Sequence, residues 1–165
     1  MRFGWLEYLY FSGFKKYFCL IFGFPFLHTQ IVARYVLESA DFRGKKVLDL
    51  ACGDGVFAHW ISYTSGATVV GVDRLERRIK NAKTIAEHFK LNNKFIASSV
   101  ENFLHNCKNF FDVVLLIDCL EHFRSPKRVL KRAFSCLSPG GILIINTPAL
   151  NQNRFFLKNH NSLTS

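Results

Sequence analysis

From Gly44 to Pro148, short apolar runs alternate strictly with amphipathic stretches, and this alternation limits the fold more than any single motif. Residues 47–50 and 68–72 read as strands, with a helix over 56–63 between them. Leu75, Ile79, Ala82, Ala86 and Phe89 fall at helical spacing and predict a helix over 75–90. Residues 94–97 form a third strand and 100–105 a short helix. The run Phe111–Ile117 is nearly all apolar, as expected of a strand covered on both faces of a parallel sheet. Ser125-Pro126 starts a helix as N-cap and first residue, with Val129, Leu130, Ala133, Phe134 and Leu137 along one face. Pro139-Gly140-Gly141 then turns the chain into a last strand over 142–146. Strand and helix in strict alternation imply a parallel sheet with helices on both faces. In such sheets ligands bind just beyond the carboxyl ends of the strands.

The chain's 165 residues suit one such core, and 18 phenylalanines supply ample material to bury. The formal net charge of +10 favours anionic partners without choosing among them. Five cysteines are scattered with no CxxC pair, which argues against a disulfide framework or a zinc site. Free thiols point to a reducing compartment, the cytoplasm. Residues 3–27 are dense in aromatic and aliphatic side chains, interrupted by Glu7, Lys15, Lys16 and Pro25. Their longest clean run, 17–27, is about half of the roughly 20 residues a spanning helix needs. No small-residue cleavage site follows it. Three readings stay open: an aromatic helical cap packed on the core, an interfacial anchor placing the protein peripherally at a membrane, and a true span. The expected organisation is an N-terminal cap or interfacial segment over 1–42, a core over 43–148 and a polar tail over 149–165.

Two motifs sit at strand ends. In Val47-Leu-Asp-Leu-Ala-Cys-Gly-Asp-Gly55 a strand runs into a glycine turn and a helix opens behind it. The glycines permit a tight turn and close approach of a ligand, and the helix start offers free N–H groups. Asp49 adds a carboxylate. In Val69-Val-Gly-Val-Asp73 the acidic residue closes the second strand, where it can accept both hydroxyls of a ribose or cap the following helix. These two features suit a nicotinamide dinucleotide as well as any other nucleotide cofactor.

Four ordered stretches separate the possibilities: VLDLACGDG, VVGVD, FDVVLLIDCLEHF (111–123) and LSPGGILIINTP (137–148). With their spacing, the chain resembles the class I S-adenosylmethionine (SAM)-dependent methyltransferases. The Leu-Glu-His and Asn-Thr-Pro elements are similar to the small-molecule branch, including ubiquinone-biosynthesis O-methyltransferases. The asparagine-proline-proline-aromatic motif of amino-directed nucleic-acid methyltransferases is absent after residue 117, so no specific nucleic acid is expected. The resemblance implies a Rossmann-like three-layer α/β sandwich. It implies SAM as cofactor, with Asp49, Ala51, Gly53 and Gly55 along its methionine part and Asp73 on the ribose. Arg74 or Leu75 would lie by the adenine. Ser98 and Ser99 replace the acidic residue the family often has after the third strand, and Ser99 and Val100 complete the adenine side. Ile117 and Asp118 would border the sulfonium. His122 is the candidate general base, and its structural alternative is to pin the loop with Glu121. Asp118, Glu121 and His122, at i, i+3 and i+4, could share a helix face and hold Mg2+.

The family sheet closes with an antiparallel hairpin. Only 19 residues follow Asn146, and they are polar with few strand signals. The expected sheet is therefore mainly parallel with five strands, C-terminally short, lacking that hairpin, its last strand covered by the tail or by a partner. The leading function is methyl transfer to a small-molecule or lipid acceptor, at oxygen. The alternatives are a degenerate or truncated SAM-binding domain with a structural or regulatory role, and an NAD-dependent oxidoreductase.

Overall fold

The computed structural model describes residues 27–107, 110–148 and 153–159; side chains are described for 31–107 and 110–147. The readings made for residues 1–26 lie outside the described residues. The chain divides into two compact units, residues 1–34 and 35–165. A helix, α1 (Leu27–Ser39), spans the division. The second unit carries β1 (Lys46–Leu50), α2 (Val56–Ser65), β2 (Thr68–Asp73), α3 (Glu76–His88), β3 (Asn93–Ala97), α4 (Val100–Asn106) and β4 (Phe111–Ile117). A 3-10 turn (Leu120–His122), α5 (Pro126–Ser135), β5 (Leu137–Pro148) and β6 (Asn153–Asn159) complete it.

The strands form one sheet in the order β3-β2-β1-β4-β5-β6. The first five are parallel, as the alternation requires. Asp49 stands level with Gly71 of β2 and Leu115 of β4. Asp112, the one polar residue in the β4 run, accepts the Lys46 N–H at 2.9 Å and so fixes the start of β1 against β4. On one face Leu48, Leu50, Val114, Leu116, Leu143 and Ile145 form a cluster with Val100 and Leu104 of α4 and Val129 and Ala133 of α5. Burying each such aliphatic side chain contributes about 1.5–3 kcal/mol. α2 and α3 pack on β2 and β3.

Two expectations change here. The Pro139-Gly140-Gly141 turn lies inside β5: Phe111 pairs with Leu137 but Val113 pairs with Ile142, so the extra residues loop out as a bulge. Gly141 is required there, because a Cβ would meet the Ser138 carbonyl oxygen at 2.9 Å. The second correction concerns the tail. Residues 153–159 form β6, antiparallel to β5, pairing from Ile142–Asn159 to Pro148–Asn153. The sheet has six strands, and the edge of β5 is covered by the tail itself. The physical reason is the row of unpaired backbone groups that an apolar edge strand leaves exposed. Among the described residues, no helix is long and apolar enough to cross a membrane.

Candidate functional site

The sheet order reverses between β1 and β4, whose following helices leave on opposite sides. The crevice beyond their carboxyl ends is the topological switch point. Two non-glycine residues stand there in the left-handed region, Ala51 (φ 59°) after β1 and Asp118 (φ 49°) after β4. Such residues cost of order 1–3 kcal/mol each and gather at binding sites.

The glycine turn is held from three sides. The Cys52 N–H donates to the Val72 carbonyl at 3.0 Å, and the Gly53 N–H donates to Asp73 Oδ2 at 3.0 Å. Asp54 Oδ1 accepts from Asn81 Nδ2 at 3.1 Å, and its Oδ2 lies 3.9 Å from Arg78 Nε. Gly55 (φ 82°) is the N-cap of α2, which has no side-chain cap. A Cβ on Gly55 would meet His59 Nε2 and Phe95 Cζ, both at 2.8 Å. The turn therefore rests directly on the fully buried His59 and on Phe95, whose rings pack edge-on at 5.2 Å. Burial pushes the His59 pKa down to about 4.

Asp49 is buried beneath this turn, 1% exposed, and its Oδ2 finds no partner within the protein. Burial raises its carboxyl to about 7, the Ala58 backbone N–H works against that rise, and the nearby Asp73 adds to it. Since Ala58 lies in the first turn of α2, Asp49 supports the helix from the strand below. Asp73 is also nearly buried, and its other oxygen accepts the Leu75 N–H at 2.9 Å. A carboxylate has about four acceptor positions, so two remain for hydroxyls of a ligand. Asp73 thus braces the Gly53 turn and the approach to α3, while Leu75 is the helix N-cap.

Beyond β3, Ser99 caps α4 by accepting the Asn102 N–H at 3.2 Å. Ser98 Oγ donates to the Ser99 carbonyl. Val100 is 4% exposed and belongs to the apolar cluster, so only its backbone is free to meet a ligand. Arg74 and Leu75 are exposed on the same carboxyl edge.

After β4, Ile117 is nearly buried, and the Asp118 N–H donates to the Asn146 carbonyl at 2.9 Å. Asn146 Nδ2 donates to Asp118 Oδ1. Asn146 is fully buried, and its own Oδ1 finds no partner within the protein. Thr147 Oγ1 donates to Glu121 Oε2 at 3.2 Å. His122 is exposed, with Nε2 3.9 Å from Glu121 Oε1. Asp118, Glu121 and His122 do not form the expected helix face: Asp118 is left-handed, and the others lie in a 3-10 turn. Among the described residues, no cluster of three such side chains could hold a metal ion, so Mg2+ is not supported. Cys52 and Cys119 are buried, their thiols pushed up chiefly by burial, and neither suits a nucleophile. The braces Arg78, Asn81 and Asn146 went unread in the sequence. Asn146 belongs to the 137–148 motif, but nothing in its spacing shows that it reaches back to Asp118.

A doubly wound sheet with a glycine turn at its switch point and an acidic residue closing β2 defines a Rossmann-like nucleotide-cofactor domain. The chain belongs to the methyltransferase domain family, whose model matches residues 41–164. It is 32% identical over 127 residues to a ubiquinone biosynthesis O-methyltransferase of Coxiella burnetii, covering 77% of this chain and 53% of that protein. To the same enzyme of Vibrio parahaemolyticus it is 35% identical over 120 residues, covering 72% and 50%. The solved plantazolicin methyltransferase BpumL, in complex with SAH, aligns with a TM-score of 0.56 and 26% identity, over 62% of this chain and 38% of that one. The chain spans about half the length of the curated relatives it matches. The sequence resemblance to class I SAM-dependent methyltransferases is borne out.

Proposed function

We propose that the chain binds SAM in the crevice beyond β1 and β4 and passes its methyl group to a small-molecule or lipid acceptor, at oxygen. One observation carries this reading: two strained residues, Ala51 after β1 and Asp118 after β4, stand at the switch point of a methyltransferase fold. The residues present fit the cofactor. Asp49 Oδ2 is a buried acceptor without a protein partner, which suits a cationic ligand above it. The turn from Ala51 to Gly55 takes the methionine part, Asp73 the ribose, and Arg74, Leu75, Ser99 and the Val100 backbone the adenine. Ile117 and Asp118 border the sulfur. When bound, SAM supplies a methyl group already activated on a positive sulfur. The chain's work is then to orient, and good positioning supplies roughly 7–11 kcal/mol in favourable cases. His122, on the exposed turn after β4, would accept the proton of a hydroxyl acceptor in this reading.

Calorimetry with SAM, SAH and NAD tests the donor site; binding of NAD in preference to SAM would refute it. Methyl transfer to a panel of catechols, sugars and lipids then separates an enzyme from a SAM-binding domain without turnover. The proposed place of work is the cytoplasm, peripherally at a membrane surface, through the aromatic residues and lysines of 3–27. Co-sedimentation of the full chain with vesicles should exceed that of a chain lacking the first 27 residues; equal sedimentation removes the anchor reading.

A further inference from the structure

The outer face of α5 has no part in the site above. Arg124, Lys127, Arg128, Lys131 and Arg132 crowd onto α5 and the residue pair before it, and no acidic residue follows Glu121 anywhere in the chain. All but the half-buried Arg132 are exposed. Among the described residues, none of the five enters an ion pair. Lys127 and Lys131 stand four apart, as do Arg128 and Arg132, and like charges at that spacing oppose a helix. Lys127 and Arg128 also fall in the first turn, which has no acidic residue, where the helix dipole favours anions. The helix therefore forms against its own surface charge, held by the burial of Val129 and Ala133. Beside it, a groove of about 330 Å³ runs between α4 and α5, lined by Asn102, His105, Arg128 and Arg132, with Glu101 the single acid in its wall.

We infer that this face is an electrostatic docking surface for an anionic phospholipid bilayer, with a headgroup phosphate seated in the α4–α5 groove. The inference rests on the membrane-surface reading proposed above and adds the surface that meets the headgroups. Lipid is favoured over nucleic acid by what the cations lack. Leu130 and Phe134 of α5 pack against the core, so α5 itself presents no ring among its charges for a base to stack on. The sequence of residues 3–27, rich in aromatics and carrying Lys15 and Lys16, supplies a second and different membrane signal. Peripheral attachment commonly needs two such weak signals, one apolar and one polybasic. The chain enters α5 from the carboxyl end of β4, so Arg124, Lys127 and Arg128 lie on the crevice side of the sheet. Docking there would bring the acceptor crevice towards the phase in which an apolar acceptor dissolves.

The test uses the full chain with phosphatidylcholine vesicles, with and without phosphatidylglycerol, at low and high salt. A juxtamembrane cation changes partitioning about fivefold. The variant Lys127→Gln/Arg128→Gln/Lys131→Gln should therefore lose on the order of a hundredfold in binding to the anionic vesicles. The charge-conserving Lys127→Arg/Lys131→Arg should bind as the parent does. Binding to neutral vesicles reports on residues 3–27 alone. If it is absent while salt-sensitive anionic binding persists and is lost in the glutamine variant, the N-terminal reading fails and the α5 face stands. Anionic binding by the folded glutamine variant equal to the parent's overturns the inference. So does tighter retention on duplex DNA than on anionic vesicles at the same salt, which would give the face to nucleic acid.

Discussion

Replacing Asp49 with Asn should make the protein more stable and its cofactor site weaker. Asp49 is 1% exposed, and its carboxyl is raised from 3.8 to about 7, chiefly by burial. A carboxyl raised in the fold gives stability that is complete below its unfolded value and is lost as pH climbs to the folded value. For Asp49 that window runs from about 4 to about 7. Across it the fold loses about 4 kcal/mol relative to an untitratable residue of the same shape, at roughly 1.4 kcal/mol per pH unit. Asparagine removes that loss but weakens the bond accepted from Ala58, a difference of about 1 kcal/mol. The advantage of Asp49→Asn should grow by about 2–3 kcal/mol between about pH 5 and pH 8. Urea unfolding of both proteins at those two pH values measures it, and comparison at equal pH cancels the titration of His59. Calorimetry should show SAM affinity falling about tenfold or more, since a buried acceptor facing a cation is gone. A stability difference that does not change with pH would refute the burial argument. Unchanged affinity in the folded variant would remove Asp49 from the cofactor site.

The remaining expectations concern the supports of the turn. His59, fully buried with its pKa pushed down to about 4, favours the neutral form; its contribution is whole above about 6.5 and fades towards 4. His59→Gln should recover about 3 kcal/mol of the stability lost across that interval, read from urea melts at the two ends. Gly55→Ala should cost about 2–5 kcal/mol, from left-handed strain and from a Cβ 2.8 Å from His59 and Phe95, measured by the same unfolding. Asp73→Asn should lower both thermal stability and SAH affinity, since the carboxylate accepts the Gly53 and Leu75 N–H groups. A folded Asp73→Asn that binds SAH like the parent would exclude a ribose contact.

The parts legible in the sequence are those in which the physics is local and periodic. The apolar run of β4 has its boundaries at Phe111 and Ile117, as read, because both faces are buried and the apolar character stops where burial stops. α3 begins one residue inside its expected start, because Leu75 serves as N-cap. Ser125 is the N-cap of α5 as read, with Pro126 behind it, yet its side chain makes no capping bond. β6 was missed because Asn153, Arg154, Lys158 and Asn159 frame three apolar residues and give the segment a polar look. Its formation is decided by a partner strand already in place, which no local pattern records. The Asp118, Glu121 and His122 face failed for a related reason. Helical spacing was assumed where Asp118 takes a positive φ and ties itself to Asn146, a residue 28 positions away.

The site residues share a physical signature: left-handed backbone beside buried polar atoms without a protein partner. Asp49 and Asn146 point to one face of the sheet, on strands that flank β4, and each keeps a buried oxygen without a protein partner. Folded proteins leave few such atoms, and each calls for a cause. Between them stand Ala51 and Asp118, both held in a conformation that L-residues avoid. A sequence selected only for stability would relieve these positions with glycine at 51 and 118 and an apolar residue at 49. The apolar strands around them obey every local rule. Strain and unsatisfied polarity that coincide at the carboxyl ends of β1, β4 and β5 therefore mark where the fold gives up stability to hold a ligand.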